Sequence, residues 1–310
     1  MSYTFLERPA CPACRAKESE TLFSGRFTEG SIREYLLDFY PALGEQDIEL
    51  LDAAPFTLAR CDECGLIRQV HAPGEDLLEA LYNHWAPSRD EGDHRRPLAY
   101  YRAAAQEVML VLDYLRLPPS EVSVLDFGMG WGGWPRMALA FGCQAYGLEL
   151  AEEPREFARA HGVRVISAEE LGEHRFDFIN TEQVFEHLVD PLEVLMSLRA
   201  SLKPSGLVKI SVPSAAGIDR ELRRPDWAAP KGSKHSLNAV APLEHLNCFP
   251  RTALVRMAAS AGLRPIRMPL RVQYAASTNW RPFVGALRNL VKPLYRNLQS
   301  NRPYIFLGRA

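Results

Sequence analysis

Residues 122–133 constrain the fold of this chain more than any other stretch. An apolar run leads to Asp126, and three glycines follow at alternate positions: Gly128, Gly130 and Gly132. A short apolar run flanked by glycines is typical of a buried parallel strand, and glycine permits a tight turn and a close approach of backbone to a ligand. Helix-compatible sequence follows, up to about Phe141. The stretch therefore predicts a ligand between the end of a strand and the start of a helix.

The same glycines allow two other interpretations. Gly128, Gly130 and Gly133 satisfy G-x-G-x-x-G, the dinucleotide fingerprint, and a glycine-rich strand-to-helix turn can also exist without any ligand. The surrounding residues discriminate between these readings. The acidic residue two positions before the first glycine completes D-x-G-x-G-x-G. This combination resembles motif I of the class I S-adenosylmethionine (SAM)-dependent methyltransferases.

The resemblance continues into the next two predicted strands. Residues 145–149 predict a second strand that ends in Glu149. A carboxylate at this place can accept hydrogen bonds from both ribose hydroxyls of an adenosyl ligand. Residues 163–167 predict a third strand, and the resemblance implies that Glu169, shortly after it, lies beside the adenine.

Residues 176–191 resemble the family's fourth strand and the loop that follows it. The resemblance implies that Glu182, Glu186 and His187 border the cofactor pocket, the last two on its methionine side. Asp126 is expected to hold the glycine loop and to approach the same end of SAM, where an ammonium group favours a carboxylate.

The remaining strands and helices complete one fold class. Strands are predicted at 207–213 and at 304–307, and another strand is predicted directly after a helix at 250–262. Strands that alternate with helices imply right-handed crossovers and a parallel sheet. The resemblance implies an α/β, Rossmann-like class I methyltransferase domain with a mostly parallel seven-stranded sheet.

Two C-x-x-C pairs near the N-terminus form the second distinctive feature. Four thiolates suit a tetrahedral, structural zinc ion, and the ligands would be Cys11, Cys14, Cys61 and Cys64. Two disulfides or four unrelated thiols are the less favoured alternatives, because no signal peptide is recognised and intracellular thiols stay reduced. Cys143 and Cys248 are expected to be buried apolar residues.

Composition sets the broad class of the protein. A chain of 310 residues can form two domains, and its net charge of -2 gives no reason to expect a nucleic acid or an anionic membrane as partner. No apolar run is long enough to cross a bilayer, so we expect a cytoplasmic protein. Its oligomeric state stays open. We expect a zinc-binding module at 1–75, a helical linker at 76–118 and a methyltransferase domain at 119–310. The last domain is expected to carry insertions near 214–249 and 275–302.

A zinc module before a class I methyltransferase domain resembles the bacterial sugar C-methyltransferases, which act on nucleotide-linked keto-sugars. In that group a Glu-His pair follows the fifth strand, and its histidine is a candidate base. Glu244 and His245 match the pair, but Pro242 stands where the group has a tyrosine. Histidine suits proton removal near neutral pH. His187 is the competing base, and a metal role for His235 or His245 is the least favoured interpretation.

Three classes of function follow. The preferred one is a SAM-dependent methyltransferase that acts on a small polar acceptor, such as a nucleotide-linked sugar or a secondary metabolite, at carbon or oxygen. An NAD-dependent oxidoreductase is the first alternative, because the position of Glu149 also permits it. A non-catalytic SAM-binding domain is the second, and the intact Asp126, glycines and Glu149 argue against it.

Overall fold

The computed structural model describes residues 2–85, 96–276, 289–294 and 304–310. The strands, in chain order, are β1 Phe5–Glu7, β2 Ser19–Gly25, β3 Phe56–Cys61, β4 Ile67–Gln69, β5 His71–Pro73, β6 Ser123–Phe127, β7 Gln144–Leu148, β8 Arg164–Val165, β9 Phe176–Glu182, β10 Leu202–Ser211, β11 Asn247–Cys248, β12 Leu263–Ile266 and β13 Tyr304–Arg309. The helices are α1 Gly30–Phe39, α2 Glu45–Glu49, α3 Glu75–Ala80, α4 Leu98–Leu115, α5 Gly133–Ala140, α6 Glu152–Ala160, α7 Pro191–Ala200, α8 Ile218–Glu221, α9 Arg251–Ser260 and α10 Leu270–Ala275.

Contacts divide the chain into two compact units. The first unit combines Met1–Asp90, Phe185–Leu192 and Val212–Met257. The second unit combines Glu91–Val184, Glu193–Ser211 and Ala258–Ala310. This division differs from the sequence-based boundaries at 75 and 118, because most of the segment after β10 packs with the N-terminal residues.

The second unit contains a seven-stranded sheet in the order β12-β13-β10-β9-β6-β7-β8. The strands from β10 to β8 pair in parallel, whereas β13 is antiparallel to both β10 and β12. The predicted fold class is therefore confirmed. The carboxyl ends of β6, β7 and β9 lie at one edge of this sheet, which is where open α/β sheets bind their ligands.

Apolar side chains from helices and strands form the core of the second unit. Val108 of α4, Val124 of β6, Trp134 of α5 and Phe178 of β9 belong to one buried cluster. Helix α4 ends where Arg116 adopts a left-handed φ of 56°, just before the two prolines that the sequence predicts as its stop.

The first unit is built on a four-stranded antiparallel sheet in the order β11-β4-β3-β2. Strand β11 comes from the long segment after β10, and it pairs Asn247 with Arg68 and Cys248 with Ile67. The predicted first insertion therefore supplies a strand and core residues to the N-terminal module. Trp227 of this segment packs edge-on against Phe23 and Phe56.

Most of the second predicted insertion, 275–302, lies outside the described residues. Over the ranges that are described, none of the helices is both long and apolar enough to cross a membrane.

Candidate active site

The glycine loop after β6 is shaped by left-handed backbone. Gly128, Gly130 and Gly132 have φ angles of 76°, 51° and 70°, which residues with a Cβ rarely adopt. A Cβ on Gly128 would lie 2.5 Å from Cγ2 of Val184, whereas one on Gly130 would meet no atom within 4 Å. Gly130 therefore faces open space at the place where the sequence predicts a ligand.

Glu149 connects the end of β7 to this loop. Its Oε2 accepts a hydrogen bond from the backbone N–H of Gly130 at 2.9 Å. Its Oε1 accepts from the N–H groups of Leu150 and Ala151 at 2.8 and 3.1 Å. The carboxylate is thus oriented toward the glycine loop by backbone donors, as a ribose-binding acid would need to be.

Asp126 lies inside the sheet at the end of β6. The parallel register places it beside Asn180 of β9, whose Nδ2 donates to Asp126 Oδ1 at 2.8 Å. Burial raises the pKa of Asp126 to about 7, and the Asn180 hydrogen bond and the charge of Lys209 partly oppose that rise. The carboxyl group therefore changes its charge near neutral pH.

Two further predicted cofactor residues lie in the second unit. Glu182 accepts hydrogen bonds from Ser211 Oγ at 2.9 Å and from the buried Lys209 Nζ at 2.6 Å. Glu169 is exposed before a short 3₁₀ turn, and a hydrogen bond with Ser167 lowers its pKa. The first is fixed by a buried cation, whereas the second is held by a neighbouring hydroxyl.

The four cysteines of the two C-x-x-C pairs come together in the first unit. Their sulfurs all lie within 4.8 Å of one another, and the Cys11–Cys64 and Cys14–Cys61 pairs are each separated by 3.6 Å. All four are free thiols. A tetrahedral zinc ion with Zn–S bonds of about 2.3 Å separates its sulfurs by about 3.8 Å. The cluster therefore has the geometry of a closed zinc site.

The thiols of this cluster differ in their surroundings. The hydrogen bond with Cys64 lowers the pKa of Cys11, whereas burial raises the pKa of Cys14. Zinc requires deprotonated thiols, so the cysteines lose their protons when an ion binds.

The two candidate histidines lie together in the first unit. The rings of His187 and His245 are 4.9 Å apart between centroids and nearly perpendicular. Nδ1 of His187 hydrogen-bonds the carbonyl oxygen of Glu244 at 3.0 Å, and Nδ1 of His245 hydrogen-bonds that of Asn238. Because a carbonyl oxygen only accepts, Nδ1 carries the proton in both rings.

His245 is 6% exposed. Burial, and then the charge of His187, lower the pKa of His245 to about 3, so this ring is neutral at physiological pH. The negative charge of Glu244 adds to burial in raising the pKa of Tyr35. That Glu244 orients His245 stays a prediction, since the described partner of the His245 ring is Asn238.

Arg8, near the N-terminus, connects the segments that carry the histidines. Its guanidinium donates to the carbonyl oxygens of Gln69, Val189 and Leu246 at 2.5, 3.2 and 2.8 Å, and to Asn247 Oδ1 at 2.9 Å. Arg8 is 7% exposed. Hydrogen bonds from a charged donor are stronger than neutral ones, so a buried guanidinium with four partners fixes these segments firmly.

Two buried amides complete this network. Asn247 Nδ2 donates to the carbonyls of Phe185 and Leu188, at 3.3 and 2.6 Å. Gln69 Nε2 donates to the carbonyls of Ala241 and His245, at 3.0 and 3.1 Å. The N-terminal module thereby positions both histidine loops.

Comparison with known proteins identifies the family. A family model described as a methyltransferase domain matches residues 93–267, which is more than half of the chain. The chain belongs to this methyltransferase family. It is a SAM-dependent methyltransferase, and the oxidoreductase alternative is not favoured.

Relatives of this methyltransferase include the ubiquinone biosynthesis O-methyltransferase of Xanthomonas axonopodis pv. citri (strain 306). That protein is 27% identical over 228 residues, which cover 68% of this chain and 92% of the relative. Similar solved structures include PKMT2 from Rickettsia typhi, with 13% identity, TM-score 0.44 and coverage of 66% of this chain and 53% of that one. The plantazolicin methyltransferase BpumL has 16% identity, TM-score 0.41 and coverage of 70% and 88%. Both TM-scores are below 0.5, so the assignment rests on the family match.

Replacing Glu149 with alanine is expected to weaken SAM binding by the methyltransferase at least about tenfold. The change removes a charge-assisted hydrogen-bond acceptor, worth roughly 1.5–3 kcal/mol, and it also releases the N–H of Gly130. Calorimetric titration with SAM measures the loss. Replacing Glu153, an exposed acid in the first turn of α6, is the matched control. Equal SAM affinity in both variants would place the ribose elsewhere.

The affinity for SAM is expected to rise about tenfold between pH 6 and pH 8. With a pKa of about 7, Asp126 passes from mostly protonated to mostly ionised over this range, and the ionised carboxylate is expected to attract the ammonium group of SAM. The groups around it that carry charge or titrate are Lys209, Glu182, Glu107 and Tyr100. Titration calorimetry of Asp126→Asn should remove the rise. A wild-type affinity that does not change with pH would contradict this role of Asp126.

The sequence does not single out several residues that support the site, and Asn180, Asn238 and Arg8 show why. Asn180 was detectable, because an amide within a predicted buried strand needs a hydrogen-bond partner there. Asn238 was not detectable, because it acts through its backbone carbonyl, which every residue type has. Arg8 resembles any surface arginine in sequence, and only the fold buries it.

Proposed function

We propose that this methyltransferase transfers the SAM methyl group to a small polar acceptor, a sugar or a secondary metabolite, with oxygen favoured over carbon. The O-methyltransferase name of the relatives supports oxygen. Pro242, which stands where sugar C-methyltransferases have a tyrosine, also argues against carbon.

The cofactor residues are proposed from both sequence and geometry. Glu149 accepts the ribose hydroxyls, and Asp126 attracts the methionine ammonium. The remaining proposed contacts come from the glycine loop, from the adenine side and from the family-like segment 176–191: Gly128, Gly130, Gly132, Glu169, Glu182 and His187. The observation that carries this assignment is the hydrogen bond from Gly130 N–H to Glu149 Oε2, at 2.9 Å.

Proton removal from the acceptor is proposed to depend on His245. Methyl transfer from a sulfonium is an in-line displacement, so the attacking oxygen or carbon must lose its proton before or during attack. The neutral His245 ring donates through Nδ1 to Asn238 and keeps a lone pair on Nε2. His187 is the competing candidate, and Glu244 is proposed to support the pair.

We further propose that Cys11, Cys14, Cys61 and Cys64 bind one structural zinc ion. The sulfur separations support a tetrahedral site, and four thiolates leave no open coordination position for catalysis. The zinc lies in the unit whose Arg8 and Gln69 hydrogen-bond the histidine loops. We therefore assign the zinc an indirect role, in keeping His245 in place.

Replacing Cys61 with serine is expected to lower the zinc content from about one ion per chain toward zero and to abolish most methyl transfer. Because Cys61 ends β3, its loss should loosen the sheet that holds β11. SAM affinity should survive. Elemental analysis and SAM titration measure both effects, with Cys143→Ser as the matched control. Metal-free wild-type protein with full activity would reject the site.

Methyl transfer from isotope-labelled SAM into a panel of acceptors tests the proposed function. The panel contains nucleotide-linked keto-sugars and hydroxylated secondary metabolites, and product NMR identifies the methylated atom. Label in an oxygen-linked methyl group is the expected result. Label on carbon would instead support the sugar C-methyltransferase resemblance, and transfer to no member of the panel would contradict the acceptor class.

A further inference from the structure

A second group of metal-ligand atoms lies in the first unit, apart from the four cysteines. One carboxylate oxygen of Glu186 and one ring nitrogen each of His187 and His245 all lie within 4.8 Å of one another. Glu186 is 1% exposed and His245 is 6% exposed. Three ligand atoms of these types, in a largely buried place, are a composition that proteins use to bind divalent cations.

The orientation of the two rings favours an ion over a simple packing contact. Each Nδ1 donates to a backbone carbonyl, that of Glu244 for His187 and that of Asn238 for His245. Metal-binding histidines usually donate their second ring N–H in this way, because the hydrogen bond fixes the tautomer and directs the other nitrogen to the metal. Both rings are therefore prepared to offer Nε2 as a ligand.

One network of buried hydrogen bonds holds the segments that carry the three side chains. Asn247 donates to the carbonyls on both sides of the Glu186–His187 pair, those of Phe185 and Leu188. Gln69 donates to the carbonyl of His245 itself. Such backbone fixing reduces the cost of assembling a site from segments that are distant in sequence.

We propose that Glu186, His187 and His245 bind one divalent metal ion, in addition to the zinc ion of the cysteines. Two imidazoles and a carboxylate suit Zn²⁺, Co²⁺, Fe²⁺ or Mn²⁺. Three protein ligands leave positions open for water or substrate, as catalytic rather than structural sites do. The side chain of His187 is 22% exposed, which gives the site an entrance.

The catalytic role given to the ion rests on the proposed function, whereas the metal site itself does not. A bound divalent ion lowers the pKa of a coordinated hydroxyl, so an acceptor hydroxyl would release its proton to water and then attack the SAM methyl group. The methyl carbon forms a bond to the acceptor oxygen as its bond to sulfur breaks, and neutral S-adenosylhomocysteine leaves. A ligand nitrogen cannot also take that proton, so the ion would replace His245 as the means of proton removal.

Calorimetric titration of the full-length, zinc-loaded protein with Co²⁺ tests the site. We expect one Co²⁺ per chain, with a visible spectrum free of thiolate bands and with the zinc content unchanged by elemental analysis. Glu186→Gln and His187→Gln should each weaken Co²⁺ binding at least about tenfold, since each removes a ligand. His235→Gln is the matched control, because His235 is exposed and pairs with Glu221 outside the cluster.

Wild-type protein that binds no Co²⁺ beyond its zinc, or variants that bind it as tightly as wild type, would overturn the site. Zinc content and thermal melting show whether a variant is folded, and the wild-type spectrum decides the matter if both variants unfold. Methyl transfer by a protein that binds no Co²⁺ would reject the metal site and leave the proposed function intact. Co²⁺ binding without methyl transfer to any acceptor would support the metal site and contradict the proposed function.

Discussion

Replacing His245 with alanine is expected to lower turnover by about 10²–10⁴-fold, the usual cost of losing catalysed proton removal from the acceptor. The imidazole is held by the hydrogen bond from its Nδ1 to the Asn238 carbonyl. As a base it would take the acceptor proton, and as a metal ligand it would hold the ion that lowers the pKa of the acceptor hydroxyl. Alanine removes either function. SAM affinity should stay nearly unchanged, because the proposed SAM contacts come from other side chains. Turnover with labelled SAM and calorimetry with SAM alone measure the two effects separately.

His235→Ala is the matched control for this substitution, because His235 is an exposed histidine of the same unit. It should retain wild-type turnover. His245→Gln can still hydrogen-bond the Asn238 carbonyl but neither removes a proton nor binds a metal ion as imidazole does. Near-wild-type turnover in His245→Gln, on the true acceptor, would show that this side chain only anchors its loop.

Replacing Gly130 with valine is expected to weaken SAM binding on the order of 100-fold, about 2.7 kcal/mol. A Cβ at this position meets no protein atom within 4 Å, so the new side chain would occupy the space left for the cofactor. The positive φ of 51° adds backbone strain. Calorimetric titration with SAM gives the affinity, and thermal melting gives the stability.

Gly30 provides a matched control for Gly130. It has a φ of 56°, and a Cβ there also meets nothing within 4 Å, but it begins α1 in the first unit. Gly30→Val should therefore show a similar loss of stability with unchanged SAM affinity. If Gly130→Val binds SAM as tightly as Gly30→Val does, the cofactor does not lie against this loop.

The sheet of the second unit was predictable because its signals are local. Apolar runs and the glycine turn are read from neighbouring residues, and the strands around Asp126 and Glu149 follow from them. The cysteine cluster was equally accessible, since each C-x-x-C pair places two thiols in one turn. Their convergence needed only the assumption that the intervening segment folds back.

The arrangement around the histidines could not be predicted, because it depends on pairing between distant segments. Strand β11 has only two residues, too few for any periodic pattern, yet its pairing with β4 joins the segment after β10 to the N-terminal module. The partners of His187 and His245 are backbone carbonyls, which carry no sequence signal. The predicted Glu244–His245 relationship illustrates this limit, because adjacent residues need not direct their side chains to the same place.

Binding of SAM and of NAD to the zinc-loaded wild-type protein, each measured by titration calorimetry, tests the central claim most directly. One SAM is expected to bind per chain, and NAD is expected not to bind, because D-x-G-x-G-x-G and the segment 176–191 both resemble methyltransferases. Binding of NAD with no measurable binding of SAM would contradict the account.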